Sequence, residues 1–279
     1  VALPRGFNRG RLALMADDQT AREAIRSERS GGVLILTIDR PPANAIDSAT
    51  SREMGRRLAE FQDDESLRVA ILTGAGSRFF SAGWDIKAAV AGDTDDYGVG
   101  GFGGITELVG LDKPVIAALN GSAVGGGFEI ALACDMIVAS SEAQMWLPEV
   151  RLGFVADAGG VLRLPQRMPR SIANELLLTG RRMGAEEAER WGILSRVTEP
   201  AEVLSAALEL ASEIATAAPL AVQATKAILK ATEALSAEDG YAAIRSGNLP
   251  QYETALSSDD AKEGPEAFAE GREPIWKGR

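Results

Sequence analysis

Histidine is absent from this chain of 279 residues. Without an imidazole, Ser-His-Asp and Cys-His catalysis are excluded, and the usual zinc sites lose their commonest ligand. Proton transfer falls instead to carboxylates, Lys, Tyr or Cys. Cysteine is nearly absent too. Cys134 stands alone, which excludes an internal disulfide and fits a reducing, intracellular compartment. No apolar run approaches the roughly 18 residues that span a bilayer, so a soluble, cytoplasmic protein with no membrane partner is expected. Positive charge is in deficit, with 29 Lys and Arg against 40 Asp and Glu. The resulting net charge of −11 opposes general nucleic-acid binding, which needs a positive field over the phosphates. One polyanionic small molecule held by a few local cations remains compatible with it.

What is present is ordinary globular material, 46% apolar and 25% charged, and long enough to form a core without a metal or disulfide staple. Residues 1–28 read as an N-terminal extension. Val1 to Ala16 carries Arg5, Arg9 and Arg11, no acid and no long apolar core. A disordered extension or a start site placed too early is favoured there over a transit-like segment. From Val33 the pattern becomes regular. Val33 to Asp39 reads as a strand ending at Arg40-Pro41-Pro42. Ser48 offers an N-cap to a helix carrying Met54, Leu58 and Phe61 at helical spacing. Residues 68–73, 114–119 and 136–139 read as further strands, so a layered α/β core is expected to about residue 165. Ala91 to Gly104, dense in Gly and Asp, reads as a long mobile loop. Beyond Pro165 the chain turns mainly helical, with segments near 171–178, 185–191, 202–216, 219–233, 237–246 and 259–270. A helical C-terminal region is expected from about residue 200.

Two glycine clusters invite a chemical reading. Gly98-Val-Gly100-Gly101-Phe-Gly103 fits a dinucleotide fingerprint, but that motif needs a buried strand before it. The preceding Gly92 to Tyr97 is acidic and cannot supply one, so these are loop glycines. The second cluster, Gly125-Gly126-Gly127, follows the strand PVIAAL and opens an apolar helix. Three glycines there expose N–H groups at a helix N-terminus, where developing negative charge is stabilised. A close helix–strand crossing would need the same glycines for packing alone, and the two readings stand level. Glu129 lies two residues further on. It complements the helix dipole, yet the apolar Ile130 to Cys134 imply burial, which raises a carboxyl pKa and suits acid–base work. Glu149, after Pro148, reads rather as an acid in a turn than as a catalytic group. In Phe79 to Lys87 a small Ser-Ala-Gly turn lies beyond a buried strand, where α/β layers often bind ligands. Asp85 and Lys87 are equally readable as solvated charges.

Together these segments resemble the enoyl-CoA hydratase/isomerase (crotonase) family from about Val33 to the C-terminus. The carriers are RPPANAID (40–47), FFSAGWDIKAA (79–89), DKPVIAALNGSAVGGGFEIALACD (112–135), LPEVRLGFVADAGGVLRLP (147–165) and EGPEAFAEGREPIWKGR (263–279). The resemblance implies a crotonase-like spiral of ββα units over 29–200. It also implies a helical region over 201–279 for trimerisation and CoA contacts, in homotrimers or hexamers built as dimers of trimers. An acyl-CoA thioester is the implied substrate, with no metal and no separate cofactor. The thioester oxygen would sit between the N–H groups of Trp84 and Gly126. Ala82 and the Asp85, Ile86, Lys87 segment would lie along the adenine and pantetheine. Phe268 and the basic tail, with Arg272 and Lys277, would reach a neighbouring subunit's CoA. The family's two glutamates match Glu129 and Glu149, the first holding and deprotonating water and the second exchanging the α-carbon proton.

Trp84 between Gly83 and Asp85, GGFGGITE (100–107), TGRRMGAEEAERWGI (179–193) and PIWKGR (274–279) are most similar to a subgroup acting on carnitine-type acyl chains. Reversible hydration of crotonobetainyl-CoA to L-carnitinyl-CoA is therefore the favoured reaction. Asp157 would attract the trimethylammonium group, with cation–π attraction from Trp84 and Trp146. An Asx turn or helix cap before Gly159-Gly160 explains Asp157 equally well. A general short-chain hydratase, a double-bond isomerase, and a non-catalytic acyl-CoA-binding or RNA-binding member are the alternatives.

Overall fold

The computed structural model describes residues 23–94 and 96–279. The first half of the chain runs β1 (Ile25–Ser30), β2 (Val33–Ile38), α1 (Ser48–Asp63), β3 (Val69–Gly74), β4 (Phe79–Ser81) and α2 (Ile86–Val90). It continues through β5 (Val115–Leu119), β6 (Ser122–Val124), α3 (Gly126–Ala133), β7 (Met136–Ser140) and β8 (Gln144–Trp146). The second half is α4 (Gly160–Arg167), α5 (Arg170–Thr179), β9 (Met183–Gly184), α6 (Ala185–Arg190), β10 (Arg196–Thr198) and α7 (Val203–Ala215). It closes with α8 (Pro219–Thr232), α9 (Ala237–Arg245), α10 (Pro250–Ser257) and α11 (Asp260–Glu270).

Two sheets share these strands, in the orders β1-β2-β3-β5-β7-β10 and β4-β6-β8-β9. Three times, at β3–β4, β5–β6 and β7–β8, the chain leaves the larger sheet and enters the smaller one within a few residues. This is the spiral that the family resemblance implies. From β2 to β10 the larger sheet is parallel, and β1 joins β2 antiparallel. Parallel strands covered on both faces require apolar residues at every position, and β3 and β5 are buried throughout. One face packs Leu36, Ile38, Leu72 and Leu119 against Met54, Leu58 and Phe61 of α1 and Phe128 and Ile130 of α3. The other packs Val33, Ile35, Val69, Ile71, Ile116 and Val138 against Val203, Ala206, Ala207 and Ala211 of α7.

Several sequence expectations need correction. Residues 25–28 are not extension: they form β1, paired from Ile25↔Ile38 to Ser30↔Val33. Ile25 is buried while the rest of the strand faces outward, a pattern too weak to read as a strand. The expectations for Val1 to Ala16 lie outside the described residues. Asp47, not Ser48, caps α1 by accepting from Thr50 N at 2.8 Å. Ser48 is buried and bonded to Asp93 instead. The glycine-rich stretch is only partly loop. Phe102 to Gly104 form a buried 3-10 turn packed on α1, and the Phe102 ring meets Tyr97 edge-on at 5.4 Å. The helical region from 201 also contributes to this chain's own core, because α7 closes the outer face of its sheet. No single helix among the described residues is long and apolar enough to cross a membrane.

Candidate active site

Beyond the carboxyl ends of β3 and β5 the chain makes two glycine-dependent approaches. Gly83 has φ +80°, and a Cβ built on it would lie 2.5 Å from Val124 O and 2.7 Å from Gly126 N. The loop before Trp84 therefore touches the start of α3 with no room for a side chain. Gly127 is equally constrained, since a Cβ there would overlap Ser81 O, and one on Gly126 would overlap the Phe102 ring. Gly125, at φ +53°, has Glu149 Oε1 2.8 Å from where its Cβ would stand. Packing thus accounts for all three consecutive glycines, and the same packing brings the Trp84 loop and Glu149 to the N-terminus of α3.

The backbone around Trp84 is set by a parallel bridge between Ile46 and Trp84. Ile46 N donates to Gly83 O at 2.7 Å, and Asp85 N donates to Ile46 O at 2.8 Å. Both bonds flank Trp84, so its own N–H points away from residue 46. Ala82 N donates to Ala43 O at 2.9 Å, tying the same two segments together. The Trp84 indole meets Phe154 edge-on at 5.5 Å.

Glu129, in the first turn of α3, is 3% exposed. Its Oε1 accepts from Gly160 N at 2.8 Å, and a Cβ on Gly160 would stand only 3.1 Å from that oxygen. Burial pushes the Glu129 carboxyl up to about 7. The Gly160 N–H opposes that rise, while the charges of Glu149 and Asp157 add to it. Glu149 opens a 3-10 turn after β8. Its Oε2 is buried with no hydrogen-bond partner among the described residues. Burial also raises its carboxyl pKa, and Asp157 contributes in the same direction. The charge of Glu149 thus acts on Glu129, and burial raises the proton affinity of both.

The other expected residues are placed less uniformly. Asp157 is exposed, and the N-cap of α4 is Gly159 with no side-chain bond, so the capping alternative is not realised at this helix. Its field nevertheless reaches both glutamates. Trp146 has the Arg182 guanidinium 4.5 Å over its ring, so that face is taken by a protein cation. Asp85 is committed to structure, capping α2 through Ala88 N at 3.1 Å and pairing with Arg40 at 3.2 Å. Ile86 and Lys87 are exposed beside it. Phe268 on α11 is 89% exposed. Lys277 lines a groove of about 290 Å³ with Arg68 and Pro114 at the amino ends of β3 and β5. This chain's own Glu129 does not line that groove. Two neighbours escaped sequence reading. Phe102, taken there for loop, covers Gly126. Arg163 donates to Thr106 O at 2.6 Å and moderates the proton affinity of Glu129. Its position one turn into a helix that opens at Gly160 was the available signal.

The enoyl-CoA hydratase/isomerase family model matches residues 28–279. The chain belongs to the enoyl-CoA hydratase/isomerase family. It is 60% identical over 251 residues to a carnitinyl-CoA dehydratase of Proteus mirabilis, covering 89% of this chain and 96% of that one. With a carnitinyl-CoA dehydratase of Escherichia coli it shares 56% identity over 259 residues, covering 92% and 99% respectively. Among solved structures, an enoyl-CoA hydratase from Mycobacterium tuberculosis superposes with a TM-score of 0.84 at 42% identity, covering 92% of this chain and 99% of that one. A carnitinyl-CoA hydratase from Mycobacterium avium gives 0.72 at 43% identity, covering 92% and 100%. Membership in this hydratase/isomerase family gives the glutamate pair and the glycine contacts a chemical setting, acyl-CoA thioester chemistry.

Proposed function

We propose that this chain hydrates crotonobetainyl-CoA reversibly to L-carnitinyl-CoA, with Glu129 and Glu149 as its acid–base pair. The observation that carries the chemistry is the buried pair itself, converging at the Gly125 to Gly127 turn with raised proton affinity. In the hydration direction the thioester oxygen takes the N–H groups of Trp84 and Gly126. Ionised Glu129 accepts a proton from water as the oxygen bonds to the β-carbon. The π electrons move onto the thioester oxygen, and protonated Glu149 then delivers its proton to the α-carbon. Donors fixed in advance are worth roughly 3–4 kcal/mol each against such an oxyanion. The dehydration runs the same steps backwards.

The carnitine-type acyl chain is supported by the relatives named carnitinyl-CoA dehydratase and by Asp157, an exposed carboxylate whose field reaches both catalytic acids. A quaternary ammonium cannot be neutralised, so a nearby carboxylate attracts it at any pH above the carboxyl range. Trp84, packed on Phe154, offers the aromatic surface. CoA is carried as part of the substrate, with the Ala82 to Lys87 segment along its adenine and pantetheine. Phe268 and Lys277 are assigned to a neighbouring subunit's CoA in a trimer. The test is a panel of acyl-CoA esters with and without the betaine group. The proposal expects kcat/KM for crotonobetainyl-CoA to exceed that for crotonyl-CoA. The reverse order would defeat the carnitine-type assignment while leaving hydration intact.

A further inference from the structure

A charged residue that the proposed chemistry does not use sits behind the Trp84 amide. Arg40 follows β2, and its side chain is 24% exposed. Its Nη1 donates to Ala45 O. Its Nη2 pairs with Asp47 Oδ2 at 2.6 Å and with Asp85 Oδ2 at 3.2 Å. Ala45 and Asp47 are the two neighbours of Ile46, and Asp85 is the neighbour of Trp84. One guanidinium therefore grips both partners of the Ile46–Trp84 bridge.

The consequence follows from peptide geometry. The Gly83–Trp84 peptide is planar, with its carbonyl and N–H pointing in opposite directions. Anchoring Gly83 O on Ile46 N therefore aims the Trp84 N–H, and any slip of Ile46 against Trp84 turns that donor away. The two carboxylates that Arg40 joins are also the N-caps of α1 and α2, accepting from Thr50 N and Ala88 N. Without the guanidinium, two like charges would face each other across the bridge.

We infer that Arg40 is a positioning residue for the Trp84 oxyanion donor, joining Asp47 to Asp85 so that the Ile46–Trp84 bridge holds its register. The inference rests on the proposed function only in taking the Trp84 N–H as that donor. A purely structural arginine would affect unfolding but leave the turnover of folded enzyme unchanged. A positioning arginine changes kcat and the polarisation of the bound thioester.

The test compares Arg40→Met, Arg40→Lys and Asp85→Asn with the unaltered enzyme. Arg56→Gln, on the exposed face of α1 where Arg56 pairs with Glu53, serves as the control. Two readouts are needed: kcat and KM for crotonobetainyl-CoA, and the infrared carbonyl stretch of bound butyryl-CoA labelled with carbon-13 at the carbonyl. Arg40→Met should lower kcat roughly 10- to 100-fold, as expected for misplaced donors, with KM within about threefold. The bound carbonyl stretch should move towards the value of the free thioester. Arg40→Lys should recover part of both effects, and Arg56→Gln should match the unaltered enzyme. Asp85→Asn keeps a capping oxygen but loses the ion pair, and should show smaller shifts of the same sign even if Arg40→Met fails to fold. Unchanged kcat and carbonyl frequency in folded Arg40→Met, or in Asp85→Asn if only that variant folds, would overturn the inference. If the unaltered enzyme binds the thioester without hydrating the enoyl ester, the hydratase proposal fails, but the carbonyl shift still decides for or against Arg40.

Discussion

Glu129 is buried beside a second acid and holds its proton up to about pH 7, against an ordinary value of 4.5. If it must be ionised to take a proton from water, kcat/KM for hydration should rise with pH through about 7. With Glu149 as the proposed proton donor, the rise should give way to a fall once the pair has lost its remaining proton, and a pH–rate profile measures both limbs. Stability carries the opposite sign. Between 4.5 and about 7 the folded state keeps a proton that the unfolded chain has released. This group's contribution is therefore fully present below 4.5 and is lost as pH rises through about 7. Glu129→Gln removes the buried charge and keeps an acceptor for Gly160 N. Urea unfolding should show it more stable than the unaltered protein at pH 8, by up to about 3 kcal/mol, with the gap narrowing towards pH 5. The same variant should lose roughly 100- to 10,000-fold in kcat, as should Glu149→Gln. Activity surviving in Glu129→Gln but not in Glu149→Gln would point to isomerisation, which needs one acid.

Among the elements, the glycines at the mouth of α3 and the short strands of the second sheet separate what was legible from what was not. Apolar runs such as VAILTG and VIAAL announce buried parallel strands, and the α1 repeat of Met54, Leu58 and Phe61 announces its core face. By contrast β4, β6 and β8 have three residues each, so their pairing depends on neighbours distant in sequence and carries no periodic signal. The triple glycine was readable as either an anion site or a packing site, and the structure shows why neither could win on sequence. The Phe102 ring and Ser81 O that exclude side chains come from segments 24 and 46 residues away (126 − 102 and 127 − 81). Gly127→Ala must displace backbone and should destabilise by about 1–3 kcal/mol, a shift measurable as a fall in urea midpoint. Gly153→Ala, at φ +80° with open space around it, should cost only the left-handed backbone penalty of about 1–2 kcal/mol.

For the whole molecule, the placement of α7 decides how the chain can be divided. Composition alone set a boundary near residue 200, because helix-rich segments follow it. That shift in composition does not reveal that Val203, Ala206, Ala207 and Ala211 cover one face of the main sheet. A chain ending at residue 200 would expose Val33, Ile35, Val69, Ile71, Ile116 and Val138. It should therefore fail to give a cooperative thermal transition by circular dichroism, whereas an independently folding core would keep one. Glu149, taken as a residue alone, read rather as an acid in a turn. Only its match to the family's second glutamate pointed to catalysis, and the fold carries the turn after β8 to Gly125, a contact between distant segments that no local pattern announces. The most direct measurement is the absorbance of the conjugated thioester when crotonobetainyl-CoA is mixed with the unaltered enzyme and with Glu129→Gln. The absorbance should fall rapidly to an equilibrium with the former and stay essentially constant with the latter. No fall with the unaltered enzyme, or equal rates for the two, would contradict hydration by this glutamate pair.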